Sequence, residues 1–230
     1  LLPILGKKEN FIKGRSVCPA CGHSLSFLDM MPIISWIGLH GKCRYCKAKI
    51  SPRYAIVEAM GGIAAVGSLL IIGFNVHAVL VFAMCGIMVC VGFIDYDTME
   101  IPDGLNILAL AIGAASIFIT HYAAWYEHVI GFFAVSVPLF IIALVIPGAF
   151  GGGDIKLMAA AGLLIGWKLN IVAFMMGCVV GTIIHLVIMK IGKGEHRLAF
   201  GPYLSMGIYI SIICGEQLMS WYLGIMGLKP

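Results

Sequence analysis

The stretch HVIGFFAVSVPLFIIALVIP, from His128 to Pro147, holds 20 residues without a single Asp, Glu, Lys or Arg. About 20 apolar residues in helical geometry cross the hydrocarbon core of a bilayer. No soluble helix needs to be apolar on every face, so this run reads as a membrane span. Similar runs lie before it, near 54–74, 77–94 and 104–121, and after it, near 154–166, 169–190 and 202–224. The fifth of these seven is short and rich in Gly and Ala, as a partial or tilted span would be.

Composition agrees. The chain is 61% hydrophobic and 11% charged, against roughly 45–50% and 25% in soluble domains. A soluble globular enzyme, a disordered tail and a collagen-like fibre are excluded. Long apolar runs in place of strict alternation exclude a membrane barrel. The expected fold is an all-α polytopic membrane protein with about seven transmembrane helices and a small polar head.

Charge divides the chain in the same place. Nine of the 15 basic residues lie in 1–53: Lys7, Lys8, Lys13, Arg15, Lys42, Arg44, Lys47, Lys49 and Arg53. The division gives a basic head over 1–53 and a membrane body over 54–230. A basic head can suggest nucleic acid, but beside membrane spans it marks the cytoplasmic side, so no nucleic-acid partner is expected. Threading seven crossings from a cytoplasmic head leaves 13 of the 15 basic residues inside or at the inner boundary, with Lys168 and Lys229 the exceptions. The loop His121 to Glu127 falls outside, and Lys190, Lys193 and Arg197 fall inside. The numbering begins with Leu, and Leu1–Leu5 could be the tail of a removed segment.

Four of the eight Cys stand in the head as Cys18-x-x-Cys21 and Cys43-x-x-Cys46. Each close pair aims two thiolates at one point, with Gly22 relieving the tight backbone of the first turn. Four thiolates suit tetrahedral zinc, and a closed all-cysteine shell makes that site structural. A disulfide reading is weaker in a reducing compartment. His23 and His40 are bystanders on this reading, and the loop Asp29 to Trp36 would depend on the metal for its fold. Cys85, Cys90, Cys178 and Cys214 sit singly in apolar runs and read as packing residues.

The acids are also concentrated. Asp95, Asp97, Glu100 and Asp103 fall in nine positions, of 11 acids in the chain. Alone, that segment reads as a solvated loop. The stretch Phe150-Gly151-Gly152-Gly153-Asp154-Ile155-Lys156 is less bland. An Asp at a helix start is often only a cap, but a cap does not need three glycines, which permit close backbone approach. The threading puts Asp95, Asp97, Asp103 and Asp154 at one face, on the ends of different helices. Two carboxylates that meet there would share a proton and hydrolyse a peptide without a covalent intermediate. Lys156 reads first as a side chain snorkelling to the boundary, and second as a group tuning Asp154. Glu58, inside the first span, fits either an ion pair or a function. His185 reads as a packing residue, and Phe200-Gly201-Pro202-Tyr203 as a turn with Pro opening a helix.

Taken together, these segments resemble the bacterial type IV prepilin peptidases over nearly the whole chain. Ser16 to His23 and Gly41 to Cys46 are similar to that family's zinc-binding cytoplasmic domain. Ile94-Asp95 through Ile101-Pro102-Asp103 is similar to the segment bearing its first catalytic Asp, here Asp95. Gly151 to Leu157 fits the Gly-x-Gly-Asp motif, here Gly151, Gly153 and Asp154, and Phe200 to Tyr203 fits a further family segment. The resemblance implies an aspartic endopeptidase of the bacterial inner membrane, with zinc head and aspartates on the cytoplasmic side. It implies cleavage of the basic leader of prepilins or pseudopilins after a Gly. It also implies methylation of the new N-terminus by S-adenosylmethionine, for which no glycine-rich nucleotide loop is evident. Family members usually carry eight spans, the extra one preceding the zinc domain. Two other classes compete: a proton-coupled transporter using membrane acids, which would need them through the membrane depth, and a zinc-anchored scaffold, which would leave the three glycines unexplained.

Overall fold

The computed structural model describes residues 16–31, 33–119, 124–190 and 199–227. Contacts divide the chain into two compact units, Leu1–Gly62 and Ile63–Pro230.

The first unit is built from turns. A 3-10 turn, Phe27–Met30, precedes a five-residue helix α1, Ile34–Gly38. Asp29 organises this region. Its carboxylate accepts from the Ser26 backbone N–H at 3.1 Å and the Ser26 hydroxyl at 2.7 Å, and pairs with Arg44 Nε at 2.6 Å. The Ser26 hydroxyl and then the Arg44 guanidinium hold its carboxyl down at about 2. Ile33, at φ 60°, donates its N–H to Glu58 Oε2 at 2.8 Å. Glu58 therefore ties the loop to the next helix through a main-chain donor, a role that neither expected alternative named.

The second unit is helical. The helices are α2 (Pro52–Ile72, which begins in the first unit), α3 (Val76–Thr98), α4 (Asp103–Ile119), α5 (Trp125–Val145), α6 (Gly152–Lys190) and α7 (Gly201–Ile225). Five of them are long and apolar enough to cross a membrane, and α4 is a shorter apolar helix. The 39 residues of α6 would extend about 58 Å, nearly twice a bilayer core. The helix is broken, however, at Gly166 (φ 77°, ψ 172°). Its arms, 152–165 and 167–190, correspond to the fifth and sixth expected segments, so among the described residues seven apolar segments stand where seven were expected. The protein is an all-α, multi-pass membrane protein.

The short first arm of α6 is the centre of the unit. Every residue from Leu157 to Gly166 is buried, and α4 and α5 both reach this arm, through Gly113 and Ser116 and through Gly131 and His128. Small residues permit the approach: a Cβ on Gly113 would lie 2.7 Å from the Ala160 carbonyl oxygen, and one on Gly162 would overlap the Gly131 carbonyl. Lipid supplies no hydrophobic drive between helices, so such close packing carries the association. The break at Gly166 takes neighbouring carbonyls out of the helical ladder, and buried side chains meet them. Leu163 O accepts from Ser116 Oγ at 3.1 Å and from His128 Nδ1 at 2.6 Å.

One expectation changes. Trp125 to Glu127 belong to α5 rather than to a loop, since Ala124 provides an extended N-cap ahead of them. Lys168, an exception to the charge rule, lies just past the break with its ammonium 5.7 Å from the Trp167 ring centroid, a cation–π position. Lys193, Arg197, Lys229 and the expectations for residues 1–15 fall outside the described residues.

Candidate functional site

Two constellations emerge, one in each unit. In the first unit the Cys pairs occupy matching turns. Cys18 N donates to His23 O and Gly22 N to Cys18 O; Cys43 N donates to Ala48 O and Lys47 N to Cys43 O. The residue after the second Cys has positive φ in both turns: Gly22 at 69° and Lys47 at 58°. Gly relieves the first turn as expected, while the second tolerates a Lys. The four Sγ atoms lie within 4.8 Å of one another, and Cys18 and Cys46 are 3.9 Å apart. A tetrahedral thiolate shell with metal–sulfur bonds of about 2.3 Å has edges near 3.8 Å. The donor set and spacing therefore fit a metal ion. Backbone N–H groups of Cys21 and Ala20 pull the Cys18 thiol down to about 7, while burial and the neighbouring thiols push Cys46 up to about 11, so Cys18 is the first of the set to become a thiolate. His23 stacks on Tyr45 at 3.7 Å rather than joining the cluster.

In the second unit, Asp95 ends α3 and Asp154 opens α6. Both are buried, at 6% and 8% exposure, although each is a carboxylate at a helix end. The two side chains lie within electrostatic range of each other. Gly201, at the start of α7, donates its N–H to Asp95 Oδ2 at 2.8 Å. Gly151 donates its N–H to Asp154 Oδ2 at 3.3 Å, while Asp154 Oδ1 is buried with no hydrogen-bond partner among the described residues. Asp95 is thus held by the start of α7, and Asp154 by the glycine run ahead of it.

The glycines have separate reasons to be there. A Cβ on Gly153 would sit 2.8 Å from Ile101 Cβ, and one on Gly201 would sit 2.8 Å from Asp95 Oδ2. Gly153 therefore lets the loop bearing Ile101 close over the start of α6. Gly201 lets backbone reach a carboxylate. Phe150, Phe174 and Phe200, with centroids 5.8–6.5 Å apart, pack beside these motifs.

Not every acid joins. Asp97 is exposed where Asp95 is buried, because two steps along a helix turn a side chain to another face. Asp103 pairs with Lys156 at 2.6 Å, and both are well exposed. Lys156 thus bonds to Asp103 instead of Asp154, and an exposed pair of this kind contributes little. The sequence reading missed the role of Gly201, whose signal was the glycine before Pro202. It also missed Asn106, buried on α4 with neither amide atom partnered among the described residues; the signal was a lone amide one turn after Asp103.

The chain matches two family descriptions: "Bacterial Peptidase A24 N-terminal domain" over residues 2–72 and "Type IV leader peptidase family" over residues 82–186. Among curated relatives, the prepilin leader peptidase/N-methyltransferase of Aeromonas salmonicida is 31% identical over 226 residues, covering 94% of this chain and 77% of the relative. The proteins of that name from Stutzerimonas stutzeri and Bacillus subtilis are each 30% identical, over 95% and 93% of this chain and 78% and 87% of their own lengths. No solved structure matches the chain. The paired descriptions and the long alignments agree on one conclusion: this chain belongs to the type IV leader peptidase family.

Proposed function

We propose that the protein is an aspartic endopeptidase that removes the leader from type IV prepilins or pseudopilins, with Asp95 and Asp154 as its catalytic pair. The observation that carries this reading is the burial of these two carboxylates within electrostatic range of each other at one end of the helical unit. Two such acids hold one proton between them more cheaply than two charges. The ionised member takes a proton from water, whose oxygen attacks the scissile carbonyl carbon. The protonated member gives its proton to the carbonyl oxygen, forming a neutral gem-diol. Collapse of that intermediate breaks the C–N bond as the leaving amine receives a proton. The pair titrates as a unit. Gly201 N–H would hold one oxygen of Asp95 and leave the other to act, and the partnerless Asp154 Oδ1 suits a shared proton or the attacking water.

The relatives' names support a second activity, transfer of a methyl group from S-adenosylmethionine to the new N-terminus. No glycine-rich nucleotide loop accompanies it in this chain. Cys18, Cys21, Cys43 and Cys46 would hold zinc, which closes a shell without an open position and so supplies folding free energy rather than chemistry. The basic head supports a cytoplasmic position at the inner membrane for the cysteine site, and the low count of basic residues elsewhere supports the same for the aspartates. Hydrolysis there has water at hand, and the acidic segment 95–103 would attract a basic leader.

The test is cleavage of a prepilin by purified protein in detergent. Wild type should release the leader, and Asp95→Asn and Asp154→Asn should each abolish release while keeping the wild-type melting profile. Cleavage by either variant at the wild-type rate rejects the pair. Incubation with labelled S-adenosylmethionine then reads methylation of the cleaved product.

A further inference from the structure

Helices α4 and α5 both pack on α6, and a groove of about 540 Å³ runs between them. Leu110 from α4, Phe133, Val137 and Phe140 from α5, and Ile155 and Ala159 from α6 line it. On each helix these positions recur at helical spacing, so one face of each contributes. The groove opens at Asp103 and Lys156. Ile155 and Lys156 directly follow Asp154 in the chain.

One wall residue does not suit an apolar groove. Asn106 is 4% exposed, lines the groove, and has both Nδ2 and Oδ1 without a partner among the described residues. A buried amide left so is costly, and Leu at this position would avoid the cost. Ser136, also on the wall, satisfies itself by donating to Phe132 O. We propose that Asn106 is a substrate-positioning residue whose side-chain amide pairs with a main-chain amide of the peptide presented to Asp95 and Asp154. This rests on the peptidase reading and adds to it the part of the substrate that is gripped.

The chemistry selects the occupant. A lipid acyl chain has neither donor nor acceptor to offer Asn106. A helical peptide in a membrane keeps its amides paired internally. A peptide unit released from helix offers one carbonyl and one N–H, which match the Nδ2 donor and the Oδ1 acceptor. A scissile carbonyl must likewise leave a helix to meet a carboxylate and water. Asn106 therefore holds an unwound segment, while the apolar wall receives the side chains that flank it.

The experiment is an ester scan. Semisynthetic prepilins carry one backbone ester in turn at each amide flanking the cleavage site, which removes that N–H. With wild-type protein, one position should lower kcat/KM about 5- to 10-fold, the effect of one lost hydrogen bond. With Asn106→Leu the all-amide substrate should show raised KM and kcat within about twofold, and the ester at that position should cost nothing further. Asn106→Ala serves as the second variant, and detergent melting reports the fold of both. Wild type that cleaves the all-amide prepilin while no ester effect depends on Asn106 overturns this inference alone. Wild type that leaves every prepilin intact overturns the peptidase reading and the inference with it.

Discussion

The backbone N–H of Gly201 donates to Asp95 Oδ2 at 2.8 Å, across 106 positions of sequence. A main-chain donor cannot rotate away as a side chain can, so it fixes which oxygen of Asp95 is occupied. The close approach requires glycine, because a Cβ at 201 would lie 2.8 Å from that oxygen and 3.1 Å from Asp95 Cβ. Gly201→Ala should therefore lower kcat for prepilin cleavage by about 10-fold or more, as expected when a charge-assisted hydrogen bond is displaced. Leader-release kinetics on the purified variant give the number, and unchanged kcat would show that this contact does not matter.

Asp95 and Asp97 are separable by substitution. Asp95→Asn should abolish cleavage, whereas Asp97→Asn should keep it within about threefold, since surface substitutions have small effects. The same assay reads both. Loss in Asp97→Asn with retention in Asp95→Asn would transfer the role to the exposed neighbour.

Gly153 is set against Ile101 with no space for a methyl group. Gly153→Ala should destabilise by about 1–3 kcal/mol, as overpacking does, and reduce cleavage by moving Asp154. Adding Ile101→Gly removes the obstructing Cβ and should restore part of both. Thermal unfolding in detergent and leader release on the single and double variants test the coupling.

Lys156→Ala breaks the ion pair with Asp103 but leaves Asp154 its Gly151 contact. An exposed pair is worth about 0–1 kcal/mol, so melting should shift by little and cleavage should persist. A large loss of cleavage in Lys156→Ala, matched by Lys156→Gln, would assign the ammonium to the reaction.

The four thiolates should hold about one zinc per chain by elemental analysis. Cys43→Ser should reduce that content sharply, since three remaining ligands leave the shell open. A chelator should unfold the segment around Asp29 to Trp36, read by proteolysis, because its fold is coupled to the metal. Full metal content in Cys43→Ser would reject the shared site.

What could be read in advance depended on the range of the interaction. The spans follow from apolar runs, a local property, and even the break at Gly166 was marked by the Gly/Ala-rich segment ending there. The Cys turns are equally local, because two residues between ligands leave few backbone paths. Glu58 could not be assigned from sequence, since its partner is the N–H of Ile33, 25 positions away. Lys156 found Asp103, 53 positions away, for the same reason.

By itself, then, the order of residues determined a multi-pass helical protein, a four-thiolate head and a short set of acids at helix ends. Hydrophobic length and ligand spacing act within one segment and need no tertiary information. Only the tertiary structure decided that Asp95 is buried while Asp97 is exposed, that Gly201 reaches Asp95, and that Asn106 is buried without a partner among the described residues. Each of these depends on how separate helices rotate and approach, and that is set by the packing of α4, α5 and α7 on α6.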